Sequence, residues 1–450
     1  IGALRLGALA NFISPTALFG FTAGAALLIA IYALVDALGV PAQGIRGAPA
    51  VLRHLVLQWH AVSLPALAVA VATLGVSLAL RWRWPRSPHM LIGLVAGTLL
   101  AVWLRRSGLA DEGLHQVGPM PSPWPQPRWP LTDWSRLPEL VGLAFAMTIV
   151  ALGQTISIAK AMAARSGQRM DANREFMGQG LANVIGSFFS CYVSCGSLNR
   201  SVPNLQAGAR TPLAAVFSAL FMLVLVGAVS GWLAHIPMAS IAALLLLVAW
   251  NLFDLPRWRE LLRVSRRDFW IAAATLVATV TLRLEMAIVL GTLLSLMVFL
   301  HRTSRPAMRT MGFDRPPHAP HDERRFVVLD PAQGDRPPEC PQLKLLRMEG
   351  EVYFGALQHV ADTLHALREA PGAPRHLLVM GKSMNFIDLA GAELWAEELK
   401  ARRAMGGDLY FHRPRPEVLQ MWQRIGFDRA LGADHVFPDK ARAIAAIVPR

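Results

Sequence analysis

Residues 191–211, CYVSCGSLNRSVPNLQAGART, form a polar break between two apolar runs. The run before it, 175–190, is short and glycine-rich. The run after it, 212–233, is long enough to cross a bilayer, which takes about 20 mostly apolar residues. A polar segment enclosed in this way is typical of a membrane helix that is interrupted near the bilayer centre. We therefore expect a half-helix at Ser197–Gln206; an ordinary extracellular loop is the alternative.

The composition indicates a membrane protein with a soluble part. Of the 450 residues, 54% are hydrophobic and only 16% are charged, whereas a soluble protein carries about 25% charged residues. Apolar runs fill 9–301 and the charges crowd the rest. We expect spanning helices near 9–34, 64–82, 89–104, 138–162, 175–190, 212–233, 237–253, 269–283 and 286–301.

The basic residues orient these spans. Clusters of Arg and Lys follow the second, fourth, seventh and last spans, and all four clusters can lie on one face of the membrane, which the positive-inside rule makes cytoplasmic. The long loop 105–136 carries four arginines on the other face, but long loops constrain topology weakly. The net charge of +14 comes without a basic–aromatic array, so a nucleic-acid partner is disfavoured.

The C-terminal third has a different pattern. Residues 302–323 are rich in Arg, Pro and His and predict a linker. From Arg324 onward, strand-like and helix-like stretches alternate, which predicts a soluble α/β domain over 324–450. The expected strands are Arg325–Leu329, Leu343–Met348, His376–Met380 and Asp408–His412; the expected helices are 355–369, 390–404, 414–425 and 440–447.

Motifs of enzymes and metal sites are missing from the sequence. There is no phosphate-binding loop, catalytic triad or zinc motif, and the three cysteines, Cys191, Cys195 and Cys340, lack partners at metal-ligand spacing. We expect no enzymatic activity and no cofactor.

Three stretches resemble a known family: ANFISPTALFGFTAGAALLIA (10–30), TISIAKAMAARSGQRMDANREFMGQGLANVIGSFFS (155–190) and SCGSLNRSVPNLQAGARTPLAAVF (194–217). All three resemble the SulP sulfate permease family, called solute carrier family 26 in animals. KSMNFIDLAGAELWAEELKARR, 382–403, resembles a STAS domain.

The resemblance implies a membrane transport domain over 1–301, part of a seven-plus-seven inverted-repeat transporter. By comparison with the family, the chain begins at the end of the fourth membrane segment, so we expect it to lack the first three to four spans. The resemblance also implies a multi-pass protein of the inner (plasma) membrane, a cytoplasmic STAS domain, a homodimer, and a partner protein bound by STAS.

In this family the anion binds between two half-helices, and the resemblance places it at Ser197, Leu198, Asn199 and Arg200. Physical chemistry agrees, because the free N–H groups and positive dipole end of a helix N-terminus attract anions. We expect Gly196 to let the backbone turn, Ser197 or Asn199 to cap the helix, and Pro203 to lie near its first turn. Arg200 either adds positive potential for the anion or pairs with another residue.

Two further site candidates lie on the fourth span. Many bacterial relatives carry Glu where this chain has Gln154, and an amide cannot carry a proton. Proton coupling through this position is therefore in doubt, and Gln154 is a substrate contact or a packing residue. Ser157 is on the same helix face, but a serine in a membrane helix usually hydrogen-bonds to its own backbone.

The STAS resemblance comes with one departure. In STAS domains that bind anti-sigma kinases, a phosphorylated Ser precedes the Gly of an Asp-x-Ser-Gly turn. Here the turn is Asp388–Gly391, with Ala390 at the serine position. That switch cannot operate, and we expect Asp388 to cap the following helix.

The functional hypothesis is secondary active transport of a small inorganic anion, with sulfate first and bicarbonate next. Dicarboxylate or nucleobase transport is a second hypothesis, although the nucleobase carriers of the same architecture lack a STAS domain. A membrane scaffold that signals through STAS without transport is the third.

Overall fold

The structure is a computed structural model. It describes residues 2–5, 14–41, 45, 47–85, 87–109, 114–118, 124–130, 134–282, 284–314, 326–329 and 340–448, apart from the side chains of residues 198, 199, 284 and 285. The chain divides into two compact units, residues 1–296 and 297–450.

The first unit consists of helices, and the last helix, α12, ends a few residues after the division between the units. In chain order they are α1 (Pro15–Leu38), α2 (Ala48–Leu57), α3 (Leu64–Arg83), α4 (His89–Arg106), α5 (Leu137–Ser166), α6 (Ala172–Ser187), α7 (Leu198–Gln206), α8 (Leu213–Leu233), α9 (Met238–Leu252), α10 (Leu255–Val264), α11 (Arg266–Thr281) and α12 (Leu284–Thr303).

Seven helical segments among the described residues are long and apolar enough to cross a membrane. They include α1, α3, α4, α5, α8 and α12, and the seventh, Met238–Val264, joins α9 to α10. Two of the nine expected spans, those at α6 and α11, are helices of 16 residues.

Short helices at α2 and α10 were not expected. Helix α10 alternates Arg and Glu with Trp and Leu, a composition that places its apolar face on the protein.

Small residues bring α1 against α11. A Cβ added at Gly20 would lie 2.2 Å from the Ala272 carbonyl oxygen, and one added at Gly24 would lie 2.6 Å from Thr279 Cβ. These two glycines therefore permit close packing, as expected for a GxxxG pair. Buried alanines, among them Ala33, continue the packing of α1 with α3, α4 and α9.

The second unit contains a six-stranded sheet with helices. Its elements are β1 (Ala307–Phe313), β2 (Phe326–Val328), β3 (Leu343–Val352), α13 (Leu357–Glu369), β4 (His376–Ile387), α14 (Leu389–Ala404), β5 (Leu409–His412), α15 (Pro416–Ile425), α16 (Phe427–Leu431), β6 (Val436–Phe437) and α17 (Lys440–Ile447). All four expected strands and all four expected helices are present.

One sequence expectation is wrong for part of 302–323. Those residues were expected to be a linker, but β1 lies within them. It is the second strand in the sheet order β2-β1-β3-β4-β5-β6, between β2 and β3. It pairs antiparallel with β3, from Ala307 opposite Glu349 to Met311 opposite Leu345. Strands β3 to β6 are parallel, as alternation with helices predicts.

Each face of the sheet has its own core. One face buries Trp395, Phe411 and Trp422, with the Phe411 and Trp422 ring centroids 4.5 Å apart. The other face packs against α17 through Ala443 and Ile447.

The N-terminus of α14 is capped as expected. Asp388 Oδ1 accepts a hydrogen bond of 2.8 Å from the Gly391 N–H. The other carboxylate oxygen of Asp388 accepts from the Phe354 N–H, also at 2.8 Å. One side chain thus closes the helix start and holds the loop that follows β3.

Candidate functional site

The predicted half-helix is a separate element, α7. After α6 ends at Ser187, residues 191–197 form an extended segment without regular secondary structure, and α7 starts at Leu198. Ser197 occupies the N-cap position with φ −135° and ψ 115°, but its side chain makes no capping hydrogen bond. The first α-helical hydrogen bond runs from the Ser201 N–H to the Ser197 carbonyl, at 2.9 Å, so the N–H groups before it have no i→i−4 partner.

The segment before α7 contacts the middle of α5. The Gly196 N–H donates to Thr155 Oγ1 at 3.3 Å, and the Cys195 thiol donates to Gln154 Oε1 at 3.1 Å. Gln154 is about 26 Å along α5 from its first residue and about 18 Å from its last, at 1.5 Å per residue. The start of α7 is therefore level with the interior of a spanning helix.

Gly196 serves this contact in a way that differs from the expectation. It does not adopt a positive φ, so glycine is not needed there for a left-handed turn. A Cβ added at Gly196 would lie 3.2 Å from Thr155 Cα. The missing side chain therefore matters because it lets the segment approach α5 closely.

Helix α6 holds the same segment from a second direction. Gln179 Nε2 donates to the Ser194 carbonyl at 2.6 Å, and Asn183 Nδ2 donates to that carbonyl at 3.0 Å. In return, the Ser194 N–H donates to Asn183 Oδ1 at 2.8 Å. The two amides, four residues apart on one helix face, satisfy main-chain groups that have no strand or helix partner.

Sequence reasoning missed this amide pair. Gln179 and Asn183 were assigned to a short glycine-rich span and given no role. The available signal was their spacing, because two amides on one face of the glycine-rich, mostly apolar stretch 176–187 need polar partners. The partner, Ser194, was not predictable from that spacing.

The four residues that the resemblance assigns to the anion lie at the N-cap and in the first turn of α7. Ser197 is half-buried and Arg200 is exposed. Among the described residues no hydrogen bond or ion pair to the Arg200 guanidinium is present. The side chains of Leu198 and Asn199 lie outside the described part of the structure, and so does the expected cap by Asn199.

The two candidate site residues on α5, Gln154 and Ser157, have different surroundings. Gln154 contacts the segment before α7 through Cys195. Ser157 is exposed, and its hydroxyl donates to the Gly153 carbonyl of its own helix at 2.7 Å, the backbone hydrogen bond that was the alternative to a site role.

Pro203 lies deeper in α7 than expected. It is the sixth residue of the helix, in the second turn rather than the first, and it has no N–H for the carbonyl four residues earlier. Helix α7 ends three residues later, at Gln206, which fits a short element with an incomplete hydrogen-bond pattern.

Two cavities lie along α5. One, of about 460 Å³, runs beside its N-terminal half and is lined by Thr148, Gln179 and Asn183 among mostly apolar residues. The other, of about 280 Å³, lies at its C-terminal end and is lined by polar groups that include Ser201 and Arg210. The held segment Ser194–Gly196 contacts α5 between the positions that line these two cavities.

Comparison with known proteins supports one family over most of the chain. The profile of the Sulfate permease family matches residues 1–275, and the STAS domain profile matches residues 337–443. The YvdB protein of Bacillus subtilis is 25% identical over 439 residues, covering 97% of this chain and 79% of its own length. Human Solute carrier family 26 member 6 is 27% identical over 379 residues, covering 81% of this chain and 48% of its own.

Solved structures share the fold. Murine Solute Carrier 26 family member A9, an anion transporter in the inward-facing state, superposes with a TM-score of 0.85 at 20% identity, over 99% of this chain and 74% of that one. The transmembrane domain of the cyanobacterial bicarbonate transporter BicA gives a TM-score of 0.54 at 23% identity, over 64% of this chain and 71% of its own. The chain belongs to the sulfate permease family, a family of multi-span membrane anion transporters, and carries a C-terminal STAS domain.

Proposed function

We propose that the protein is a secondary active transporter of a small inorganic anion, with sulfate as the first candidate and bicarbonate as the second. The observation that carries the proposal is the start of α7, held level with the interior of α5 by four side chains from α5 and α6. Free N–H groups at such a helix start bind an anion without any net protein charge.

The proposed anion position is at Ser197, Leu198, Asn199 and Arg200. Arg200 supports it because this cation has no carboxylate partner among the described residues and follows the helix start by one turn. Gln154 contributes polarity from α5 without a charge. Ser157 has the weakest support, since its hydroxyl is bonded to the Gly153 carbonyl.

The relatives' names support sulfate as the first test substrate. Sulfate transporter 1.1 of Arabidopsis thaliana is 22% identical over 99% of this chain, while the likeness to the bicarbonate transporter BicA supports bicarbonate. A helix N-terminus selects negative charge but hardly distinguishes between these two anions, so both belong in the same experiment.

The test is uptake of radiolabelled sulfate and bicarbonate into vesicles that contain the purified protein. We expect saturable uptake of one anion and competition by unlabelled anions of that class. Vesicles without protein give the background. Uptake of a dicarboxylate instead would redirect the substrate assignment, and no uptake of any anion would favour the scaffold hypothesis.

We further propose that the STAS domain lies in the cytoplasm of an inner-membrane protein that forms a homodimer. The basic clusters at or after the ends of α3, α5, α9 and α12 support this orientation. Protease access to the STAS domain in right-side-out and inverted vesicles tests the orientation, and the mass of the purified protein in detergent tests the dimer.

A further inference from the structure

An apolar groove opens between three helices of the first unit. It has a volume of about 500 Å³ and is lined by α1, α3 and α9. Leu74 and Leu78 form one wall, and Leu246 and Trp250 form the opposite wall. The groove exists because α1 contributes the small residue Ala30 at this level, where a larger side chain would fill the space.

One end of the groove carries a fixed cation. Arg81 Nη1 donates to Asn251 Oδ1 at 2.8 Å. Arg81 follows Leu78 by three residues, which places it one turn beyond the groove wall on α3. Asn251 lies in the chain between Trp250 and Phe253, which both line the groove. A guanidinium has five N–H donors, so the bond to Asn251 leaves others for a ligand. Among the described residues no carboxylate pairs with Arg81.

Aromatic residues mark the same level. Trp82, Trp84 and Trp250 are 87%, 59% and 76% exposed. Tryptophan is enriched at the boundary between the hydrocarbon core and the headgroups of a bilayer. The arginine end of the groove is therefore at the headgroup level, and the leucine walls extend from it into the hydrocarbon.

We infer that the groove binds an anionic phospholipid, with an acyl chain between α3 and α9 and the phosphate at Arg81. An apolar channel with one cation at the headgroup level matches the shape and charge of such a lipid. Inside a bilayer the apolar walls favour no lipid over another, because lipid tails are as apolar as leucine. Discrimination must then come from charge-assisted hydrogen bonds at Arg81.

Asn251 has a part in this site. A free arginine side chain at the end of a membrane helix extends towards water. Here the side-chain oxygen Oδ1 of Asn251 instead holds the Arg81 guanidinium across the end of the groove, between α3 and α9. The lipid phosphate would thus meet a cation that is already oriented.

The test is native mass spectrometry of the whole protein in detergent with phosphatidylglycerol or phosphatidylcholine of identical acyl chains. We expect about tenfold stronger retention of phosphatidylglycerol, the low end for a hydrogen bond to a charged group, and loss of that preference in Arg81→Gln. Arg83→Gln is the matched control, because Arg83 lies over the Trp84 ring at 5.6 Å and should keep the preference.

A second variant tests the groove itself. Ala30→Phe fills the space between the walls and should abolish retention of both lipids, while the unfolding temperature in lipid-free detergent shows whether the variant is folded. Equal retention of the two lipids by the parent protein, or an undiminished preference in Arg81→Gln, would overturn the inference. It would also be overturned if Ala30→Phe changed only the oligomeric state, since the groove would then be an interface between copies. If Ala30→Phe does not fold, the comparison of Arg81→Gln with Arg83→Gln still tests whether Arg81 selects the anionic lipid.

Discussion

Asn183 on α6 bonds to both main-chain groups of Ser194: its amide nitrogen donates to the Ser194 carbonyl at 3.0 Å, and its amide oxygen accepts from the Ser194 N–H at 2.8 Å. In an antiparallel sheet, two opposite residues can exchange a pair of main-chain hydrogen bonds. Here the side-chain amide of Asn183 makes the same pair of bonds to Ser194. It holds the extended segment three residues before the N-cap of α7. The position of the proposed anion site therefore depends on a residue that need not touch the anion.

We expect Asn183→Ala to weaken anion binding. Two hydrogen bonds to the main chain of Ser194 are lost, at about 1 kcal/mol each, and the N–H groups of α7 lose their fixed position. The apparent KM should rise roughly ten- to thirtyfold, with a smaller change in the maximal rate. Asn183→Asp keeps the acceptor for the Ser194 N–H but turns a carboxylate oxygen towards the Ser194 carbonyl and adds negative charge, so it should weaken anion binding at least as much as Asn183→Ala.

The control for this series is Ser187→Ala on the same helix, because among the described residues the Ser187 hydroxyl donates only to the Val184 carbonyl. It should transport like the parent protein. A normal KM in Asn183→Ala would show that the bonds to Ser194 are not needed to position α7.

Asn199→Ala and Arg200→Ala should each weaken anion binding by about ten- to a hundredfold, the value of one hydrogen bond to a charged group. For Arg200 the fold should be little affected, because its exposed side chain has no partner among the described residues. Anion affinity and unfolding temperature, measured on the same samples, separate the two effects. Unchanged affinity in both variants would rule out the proposed site.

Gln154→Glu should introduce coupling to a pH gradient. The parent amide accepts a hydrogen bond from Cys195 but cannot ionise. A carboxyl group at the same place could take a proton at one face of the membrane and release it at the other. Uptake with and without an imposed gradient, compared between the parent protein and the variant, measures this. Strong gradient-driven uptake by the parent would show that an acid at position 154 is unnecessary.

The STAS domain should fold alone, and it should be more stable when β1 is included. A fragment 305–450 keeps the pairing of β1 with β3 and the buried side chain of Met311, which is 5% exposed. A fragment 324–450 exposes the edge of β3 and loses at least the burial of Met311, about 2 kcal/mol. Urea unfolding followed by circular dichroism compares them. Equal stability would place the domain boundary after β1.

Acid should destabilise the 305–450 fragment partly through His412. Burial, and then the nearby Arg413 guanidinium, hold the pKa of His412 below its usual 6.5. The unfolded chain therefore binds the proton more readily, and stability is lost as the pH falls below about 6.5. Urea midpoints at several values between about pH 5 and 7.5 should show the decrease, and His412→Gln should flatten it. An identical slope in the variant would assign the decrease to other groups.

Short sequence patterns predicted several features of the structure correctly. The polar break between two apolar runs located α7. Asp388 before a helical stretch predicted a cap. Each of these signals lies within a few residues, because helix starts and membrane spans are determined by nearby donors, acceptors and apolar area.

Contacts between distant segments decided the rest. β1 looked like a linker because its strand character depends on the β3 edge, which lies more than 30 residues away in the chain. The bonds from Gln179 and Asn183 to Ser194, the approach of Gly196 to Thr155 and the bond between Arg81 and Asn251 likewise depend on how whole helices pack. The sequence alone determined the positions of most spanning helices and of four strands and four helices of the second unit. The tertiary structure decided which polar groups meet, because a buried donor is satisfied by whatever the packing brings within about 3 Å of it, at any separation along the chain.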